Sequence, residues 1–518
     1  MSRPKDQTSE SAPEVPVGAR LRQLANHSMV YGLGGLAAKL VGIFLLPLYT
    51  HRVSRADFGE VELVMAGIAA LAILLKLGLI NAMFRFSFID RTAAARQKAM
   101  QTSFTGVLVT STIGLAAGLL LADPIARVID VDKTLVLIGA FGLWVTINYD
   151  LLTAIYRVEQ RPAAFIVYSL TNVAITVTVS IILVVPLDLG ATGIILGNFA
   201  GPFIVYGLML YARRSTVGFR HFDRAVIRRM LHYAMPLVPA GLMLWGLNLA
   251  DRFQIQHLAS AEALGSFSAA SKIALGIMLL VGAFQTAWAP FAHSILDDGE
   301  ARNTYRAAFS YWSIVMCWGL VAISAFTPPY VRLAFPARWW DSAPVVPLLV
   351  GGGILYGAYM IIRIGVNRSG RTQFTPVVAA VAMGVNIGLN FVLIPAWGII
   401  GAGVSTIAGY SALVLLAWFN AQAGFPVAYN WNRVARTVAV ACAFVALSVW
   451  AIPESGALGV SLRALLTVAF PVGLILVGAL TPADRGKIKK LVSAMRARPR
   501  KARRPGAENP DAPSEMLP

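Results

Sequence analysis

Charged side chains are scarce in this 518-residue sequence: Asp, Glu, Lys and Arg make up 13% of it, whereas hydrophobic residues make up 57%. Such a composition cannot cover a water-soluble surface, so a soluble globular protein is excluded. Cysteine is also rare. Cys317 and Cys442 lie in separate apolar runs, which excludes a disulfide framework and cysteine metal sites. The sequence therefore predicts a membrane protein.

Signatures of catalysis are missing too. The run from Gly34 to Leu40 lacks the Gly-Lys-Ser/Thr ending of a P-loop, and the six histidines form no His-x-x-x-His pair. The longest connections between apolar stretches, 212–230 and 286–304, hold about twenty residues. We therefore predict no catalytic residue, no metal and no cofactor. A membrane glycosyltransferase or polymerase remains the alternative from another class, but it needs a substantial outer loop with acid/base carboxylates.

Long apolar stretches, in contrast, are abundant. Fourteen of them reach the length of about 20 residues that a helix needs to cross a bilayer. The fold class predicted is an all-α polytopic membrane protein with about 14 transmembrane helices. The stretches cover residues 29–49, 58–80 (extending towards 88), 99–121, 134–156, 163–185, 190–211, 231–250, 263–285, 305–327, 343–364, 374–394, 399–420, 434–452 and 459–480.

Two short patterns recur in corresponding places. The segment from Ser54 to Gly59 opens span 2, and the segment from Ser260 to Gly265 opens span 8, 206 residues later. Spans 5 and 6, like spans 11 and 12, are joined by a proline followed by a Gly-Ala-rich turn. Each half then contains six spans, which predicts two six-helix lobes related by a pseudo-twofold axis along the membrane normal. Two helices follow at the C-terminus.

This repeat divides the chain into lobes and tails. The expected parts are a cytoplasmic tail 1–28, an N-lobe 29–211 with spans 1–6, a cytoplasmic linker 212–230, a C-lobe 231–420 with spans 7–12, spans 13 and 14 in 434–480, and a basic cytoplasmic tail 481–518.

The distribution of Lys and Arg indicates the orientation. On the side that holds both tails we count 32 of the 44 basic residues, and the opposite loops hold 8. The positive-inside rule then places both termini in the cytoplasm. Ten basic residues lie between Arg485 and Arg504, so much of the net charge of +19 belongs to this tail. Such a run behind an apolar span favours anionic membrane lipids as partners, and nucleic-acid binding is not expected.

The remaining basic residues lie inside spans. Lys39, Lys76 and Lys272 are predicted to be deep, since Lys39 and Lys272 lie about ten residues, or roughly 15 Å, into their helices. A charge there costs at least about 2.5 to 3.5 kcal/mol against lipid. Acidic residues within reach are few, and Asp150 is expected to lie nearer to Arg85. We therefore predict a cationic cavity that binds an anion; buried ion pairs or snorkelling are the alternatives.

Five further residues are weaker candidates. Arg85 is included in the cationic cavity, whereas Arg252 and Arg363 lie nearer the predicted membrane interfaces and are secondary candidates. Asp150 and Asp251 are candidates for binding a coupling ion. Spans 1 and 7 occupy corresponding places and are both rich in Gly and Pro, which predicts bent helices at a transport site.

Taken with these features, the sequence resembles the polysaccharide flippases, the Wzx-type branch of the multidrug/oligosaccharidyl-lipid/polysaccharide exporter superfamily. The resemblance extends over nearly all fourteen spans. It rests on Pro47-Leu48-Tyr49-Thr50-His51-Arg52-Val53-Ser54-Arg55-Ala56-Asp57-Phe58-Gly59, Ala234-Met235-Pro236-Leu237-Val238-Pro239-Ala240-Gly241, Asp251-Arg252, Asn386, Asn390, Leu393-Ile394-Pro395 and Gly401-Ala402-Gly403.

The resemblance implies that the protein moves an undecaprenyl-diphosphate-linked oligosaccharide across the bacterial inner membrane by alternating access, for surface polysaccharides such as lipopolysaccharide or exopolysaccharide. A polysaccharide polymerase and a chain-length regulator are the implied protein partners. A lipid II flippase and a cation-coupled small-molecule exporter of the same superfamily are the alternatives. The diphosphate of such a substrate is the kind of anion that a cavity lined by Lys39, Lys76 and Lys272 would bind.

Overall fold

A computed structural model describes residues 42–89, 92–214, 217–218, 222–482, 484 and 486. These residues form α-helices and two short 3-10 helices, with no β-strand among them, so the all-α polytopic fold is confirmed. The α-helices are α1 (42–52), α2 (Arg55–Lys76), α3 (Leu79–Ile89), α4 (Ala93–Leu120), α5 (Ala122–Ile129), α6 (Lys133–Val158), α7 (Pro162–Val184), α8 (Gly190–Ala212), α9 (Arg224–Ala234), α10 (Leu237–Leu258), α11 (Ala261–Ser294), α12 (Asp298–Ala334), α13 (Val346–Arg368), α14 (Thr375–Gln422), α15 (Trp431–Trp450) and α16 (Gly456–Leu476). The 3-10 helices are η1 (Ala337–Val345) and η2 (Thr372–Phe374).

Among the described residues, 11 helices are long and apolar enough to cross a membrane, and α9 with α10 makes a twelfth when the bent pair counts as one span. Helix α14, with 48 residues, contains two predicted spans because the positive φ of 55° at Gly398 interrupts it. The helices thus coincide with predicted spans 2 to 14. Most of predicted span 1 lies outside the described residues.

Two spans differ from the sequence prediction. Span 2 breaks after Lys76, where Leu77 adopts φ 48° and Gly78 adopts φ 66°, and the chain continues as α3. Span 7 is preceded by α9, which occupies part of the predicted linker and is bent by 47° from α10. Pro236 stands at this bend, where its ring removes a backbone donor.

The buried apolar residues form three main clusters. The first comes mainly from α1 to α9, and we call this part the N-lobe. The second comes mainly from α10 to α14, which we call the C-lobe. The third joins α15 and α16 to α12. The last two helices therefore pack on the outside of the C-lobe and add no residue to the contact between the lobes that the structure describes.

Helix α16 is attached to α12 by a buried arginine. The side chain of Arg463 is fully buried and donates to the carbonyl oxygens of Ala325 at 2.8 Å and Ile452 at 3.0 Å. A guanidinium buried in this way needs such acceptors, since an unpaired charge there is strongly destabilising. Arg463, one of the eight basic residues assigned to the opposite loops, is thus part of the helix packing.

The two lobes meet where α2 and α11 begin, and we call this the joined end of the bundle. A β-carbon at Gly59 would lie 2.5 Å from the carbonyl oxygen of Ala261, and one at Gly265 would lie 2.0 Å from that of Arg55. Only glycine permits this backbone contact. Ser54 and Ser260 cap the two helices by accepting from backbone N–H groups three residues on. The repeated Ser and Gly therefore have the same structural roles in both halves: the serine caps the helix and the glycine permits the backbone contact.

This contact yields a stability prediction. The substitution Gly265→Ala places a methyl group against backbone, so we expect it to destabilise the protein by about 1 to 3 kcal/mol, as overpacking does. Thermal unfolding in detergent measures the effect. The matched control is Gly276→Ala in the same helix, where the nearest atom to a β-carbon is Ile323 Cδ1 at 3.5 Å. Equal melting temperatures for both variants would contradict the prediction.

Candidate functional site

Polar contacts fasten the lobes at the joined end. Arg55 of α2 donates to Asp341 of η1 at 2.7 Å, and Ser266 of α11 donates to the same carboxylate at 2.9 Å. The indole N–H of Trp339 donates to the carbonyl oxygen of Thr50 in α1 at 3.0 Å. These bonds surround the glycine contact between α2 and α11. The bundle is therefore closed at this end.

The opposite end lacks such fastening. Trp245 of α10 donates to the carbonyl oxygen of Ala66 at 3.0 Å, about halfway along α2. Within the described part of the chain, no hydrogen bond or ion pair joins the lobes nearer to the opposite end than this one. The hydrogen bonds and ion pairs that the structure describes between the lobes therefore lie in the half of the bundle that contains the joined end.

An ion pair lies between the lobes just inside the joined end. Lys272 of α11 approaches Glu62 of α2 with an Nζ–Oε1 distance of 2.7 Å, and the two side chains are 23% and 13% exposed. The ammonium group also lies 5.7 Å from the centre of the Phe58 ring. Arg252 of α10 contributes a second positive charge near Glu62. The site therefore combines two cations with one carboxylate at the lobe interface.

The second deep lysine is also paired. Lys76, at the end of α2, approaches Asp150 of α6 with an Nζ–Oδ2 distance of 2.6 Å. We expected Asp150 nearer to Arg85, but Arg85 lies over the Tyr233 ring instead, at 4.4 Å from its centre. The sequence-based expectation that deep lysines lack acidic partners was wrong for Lys76 and Lys272. The reason is geometric. Helix α2 packs against both α6 and α11, and it places one charged residue of an ion pair at each of these two contacts.

The other predicted cations take different positions. Lys39 lies outside the described residues. Arg252 is 9% exposed and donates weakly to the carbonyl oxygen of Asn248 at 3.5 Å. Arg363 lies on α13 and contacts Met360 Sδ at 3.9 Å, away from the Lys272–Glu62 pair. Of the described candidates, the structure therefore places Lys272 and Arg252 together and the other cations elsewhere.

A second polar site lies inside the C-lobe. Asp251 is 2% exposed; it accepts from Asn390 Nδ2 at 2.7 Å and from Thr406 Oγ1 at 2.9 Å. Asn386, one helical turn before Asn390, is also buried. The kink of α14 at Gly398 lets its first half supply the two asparagines and its second half supply Thr406. Three chain segments thus converge on one buried carboxylate.

Some oxygen atoms near Asp251 lack a hydrogen-bond partner among the described residues. The side-chain oxygens of Asn386 and Asn390 accept no hydrogen bond from the described residues, although buried polar atoms usually have a partner. Carboxylate, amide and hydroxyl oxygens are the ligands that hard cations prefer. The described residues contain no group of three or more His, Cys, Asp or Glu that fits a metal ion. The chemistry of the site suits a weakly bound monovalent cation or a proton.

Sequence reasoning missed several members of these two sites. Glu62, Thr406 and Asp341 were not among the predicted site residues. One signal was available: Asn386 and Asn390 are four residues apart and so share one helix face. The partners of Glu62 and Asp341 had no such signal, because the pairs they form are separated by 210 and 286 residues.

Solved structures share this architecture. The protein aligns with "Lipid II flippase MurJ, inward closed conformation" at a TM-score of 0.70 and 13% identity, over 88% of this chain and 99% of that chain. It aligns with the inward-facing conformation of a multidrug resistance MATE family transporter of the MOP superfamily at a TM-score of 0.62 and 15% identity, over 76% and 94%. At these identities the likeness concerns the fold. The fold of this chain is therefore the one that these two solved structures share.

Sequence comparison defines the family. The profile of a family described as "Polysaccharide biosynthesis protein" matches residues 52–344, more than half of the chain. The chain belongs to this family. The family is thus one of polysaccharide biosynthesis, and the solved structures that share the fold are those of a flippase and a transporter.

One curated relative is an uncharacterized membrane protein of Methanocaldococcus jannaschii, 22% identical over 238 residues. The match covers 42% of this chain and 44% of that protein, so the chain spans less than half the length of the curated relative it matches.

Proposed function

We propose that the protein flips an undecaprenyl-diphosphate-linked oligosaccharide from the cytoplasmic to the outer leaflet of a bacterial inner membrane by alternating access, for lipopolysaccharide or exopolysaccharide synthesis. The observation that carries the proposal is the Lys272–Glu62 pair between the lobes, in a chain of the polysaccharide biosynthesis family. A diphosphate is an anion that competes with a carboxylate for the same ammonium group.

The competition gives a mechanism for opening. A diphosphate offers more negative charge and more acceptor oxygens than Glu62, and Lys272 is exposed enough to reach it. When the diphosphate binds Lys272, the ion pair between α2 and α11 is broken. Arg252 remains available to bind the second phosphate. The Lys76–Asp150 pair lies nearer the opposite end and meets the substrate before the Lys272–Glu62 pair does. Substrate binding therefore weakens the closed side of the bundle.

The two C-terminal helices favour a flippase over a small-molecule exporter. The alignment with the lipid II flippase covers 88% of this chain, whereas that with the MATE transporter covers 76% although both use nearly all of the partner structure. The difference is 12% of this chain, about 60 residues, which is the length of two spans with their loops. A lipid II flippase remains the alternative substrate assignment. Deleting the gene and identifying the lipid-linked glycan that accumulates separates the two.

For the energy source, we propose a coupling ion at Asp251, either Na⁺ or a proton. The support is the buried carboxylate with the unpaired oxygens of Asn386 and Asn390 beside it. Asp150 is bound by Lys76 and 41% exposed, so we no longer assign it this role. Ion binding draws the two halves of α14 towards α10 and links the ion to the shape of the C-lobe.

We further propose that both termini are cytoplasmic and that the basic tail binds anionic lipids, with a polymerase and a chain-length regulator as partners that use the flipped glycan. The start of the tail is held at the bundle: Asp484 accepts from Arg433 at 2.9 Å and from Tyr311 at 2.7 Å. The ten basic residues of the sequence between Arg485 and Arg504 supply the positive charge that anionic lipids attract.

Topology is testable with fusions. Reporters placed after Arg229 and after Lys490 should both be active in the cytoplasm, because these loops belong to the side that holds 32 of the 44 basic residues. A reporter in the loop 187–189 should be active outside. An external signal after Arg229 would contradict this orientation.

Substitution of Lys272 tests the anion site. We expect Lys272→Ala to lower glycan export about tenfold or more at normal membrane abundance, since a charge-assisted hydrogen bond contributes roughly 1.5 to 3 kcal/mol. Lys272→Arg should retain more export than Lys272→Ala because the charge survives. Lys133→Ala is the matched control, as Lys133 forms an exposed pair with Asp123 outside the lobe interface. Full export by Lys272→Ala would exclude a role in substrate binding.

Substitution of Asp251 tests the ion site. Addition of NaCl to protein kept in choline chloride should raise the Tm of the parent, because an ion that binds the folded state stabilises it. Asp251→Asn should lose this shift and keep the fold, since the amide is nearly the same size. Asp341→Asn, which alters a carboxylate at the joined end, serves as the control and should keep the shift. If no salt-specific shift is found and export follows pH instead, the coupling ion is a proton.

A further inference from the structure

Helix α9 exposes a basic face that the site between the lobes does not use. Arg224, Arg228 and His232 follow one another at intervals of four residues and are exposed, with Arg229 exposed beside them. Side chains at this spacing share one face of a helix. The opposite face is buried in the N-lobe core through Val226, Met230 and Ala234.

No described acid neutralises this face. Within the described part of the chain, the side chains of Arg224, Arg228, Arg229 and His232 form no ion pair or hydrogen bond with another residue. The nearest carboxylate in the sequence, Asp223, is already engaged. It caps α9 by accepting from two backbone N–H groups and pairs with Lys98, whose hydrogen bond is the main cause that lowers the pKa of Asp223 to about 2.

The basic face borders an apolar one. Arg228, Arg229 and His232 line a shallow groove together with Leu231, Met235 and Pro236, and the side chain of Met235 is 49% exposed. Guanidinium groups beside exposed apolar groups suit the level of a bilayer where phosphates meet acyl chains. Arginine is also the side chain whose donors best match phosphate oxygens.

The location gives this face a specific use. Helix α9 packs on the N-lobe helices α3 and α4 and runs through the bend at Pro236 into α10 of the C-lobe. It lies at the end opposite the joined end, where no described hydrogen bond or ion pair ties the lobes together. A headgroup bound there stands at the entrance to the space between the lobes, and the Lys76–Asp150 and Lys272–Glu62 pairs follow further inside.

We propose that the exposed face of α9 is an entry site that receives the diphosphate headgroup of the lipid-linked substrate before the substrate moves between the lobes. Arg228 and Arg229 hold the phosphates, and Leu231 and Met235 contact the first part of the lipid chain. The inference rests on the proposed function. It adds a first binding position on α9, outside the site between the lobes.

The test measures binding of undecaprenyl diphosphate to the full-length protein in phosphatidylcholine nanodiscs by native mass spectrometry. We expect the double variant Arg228→Gln, Arg229→Gln to raise the Kd by about tenfold, which corresponds to a loss of about 1.4 kcal/mol. Arg228→Lys, Arg229→Lys should recover most of the affinity because the charge is kept. Arg302→Gln, which removes an exposed arginine that lies over Phe425 in the C-lobe, should leave the Kd unchanged.

Three other outcomes are possible, and each contradicts a different part of the proposal. An unchanged Kd in the α9 double variant, with a raised Kd in Lys272→Ala, excludes the entry site and leaves the proposed function intact. If the parent protein does not bind undecaprenyl diphosphate at all, both fall. If phosphatidylglycerol competes equally well with undecaprenyl diphosphate for the parent, the face binds anionic phospholipid in general and the substrate assignment is wrong.

Discussion

The backbone contact between α2 and α11 at Gly59 and Gly265 is the constraint on which the rest of the structure depends. Two helices can approach this closely only where neither has a side chain, and the contact fixes their relative register. Glu62 follows Gly59 by three residues and Lys272 follows Gly265 by seven, so this register places the two charges 2.7 Å apart. The glycines therefore determine the site as well as the junction.

The ion pair at the junction offsets the free-energy cost of placing a charged group in a membrane. An isolated ammonium group in lipid costs several kcal/mol, and a carboxylate across the interface offsets that cost. Such a pair adds little net stability, yet removing one partner leaves the other uncompensated. In the proposed function, an anionic substrate takes the place of the Glu62 carboxylate at Lys272, so the lysine remains paired. The same pair that closes the bundle is thus suited to respond to its ligand.

The two polar sites differ in their chemistry. The site between the lobes has excess positive charge, since Lys272 and Arg252 face one Glu62. The site within the C-lobe has a single carboxylate, Asp251, surrounded by neutral oxygen atoms. The first suits an anion and the second a cation. Helix α10 carries residues of both, Arg252 and Asp251 being neighbours, so a movement of α10 affects the two sites together.

The sequence by itself determined the fold class, since the length and spacing of apolar stretches predict the spans directly. It also located the repeated Ser and Gly, because a helix cap and a close backbone contact require the same residue types in both halves. It also selected Lys272 and Asp251, because ionisable groups are rare in apolar runs. It did not give their partners. Glu62, Asp341 and Thr406 acquire their roles from helices that lie far apart in the chain, and the side of a helix that meets each neighbour is set by packing between helices. Only the tertiary structure, through the close contact of α2 with α11 and the kink of α14, decided which charges are paired.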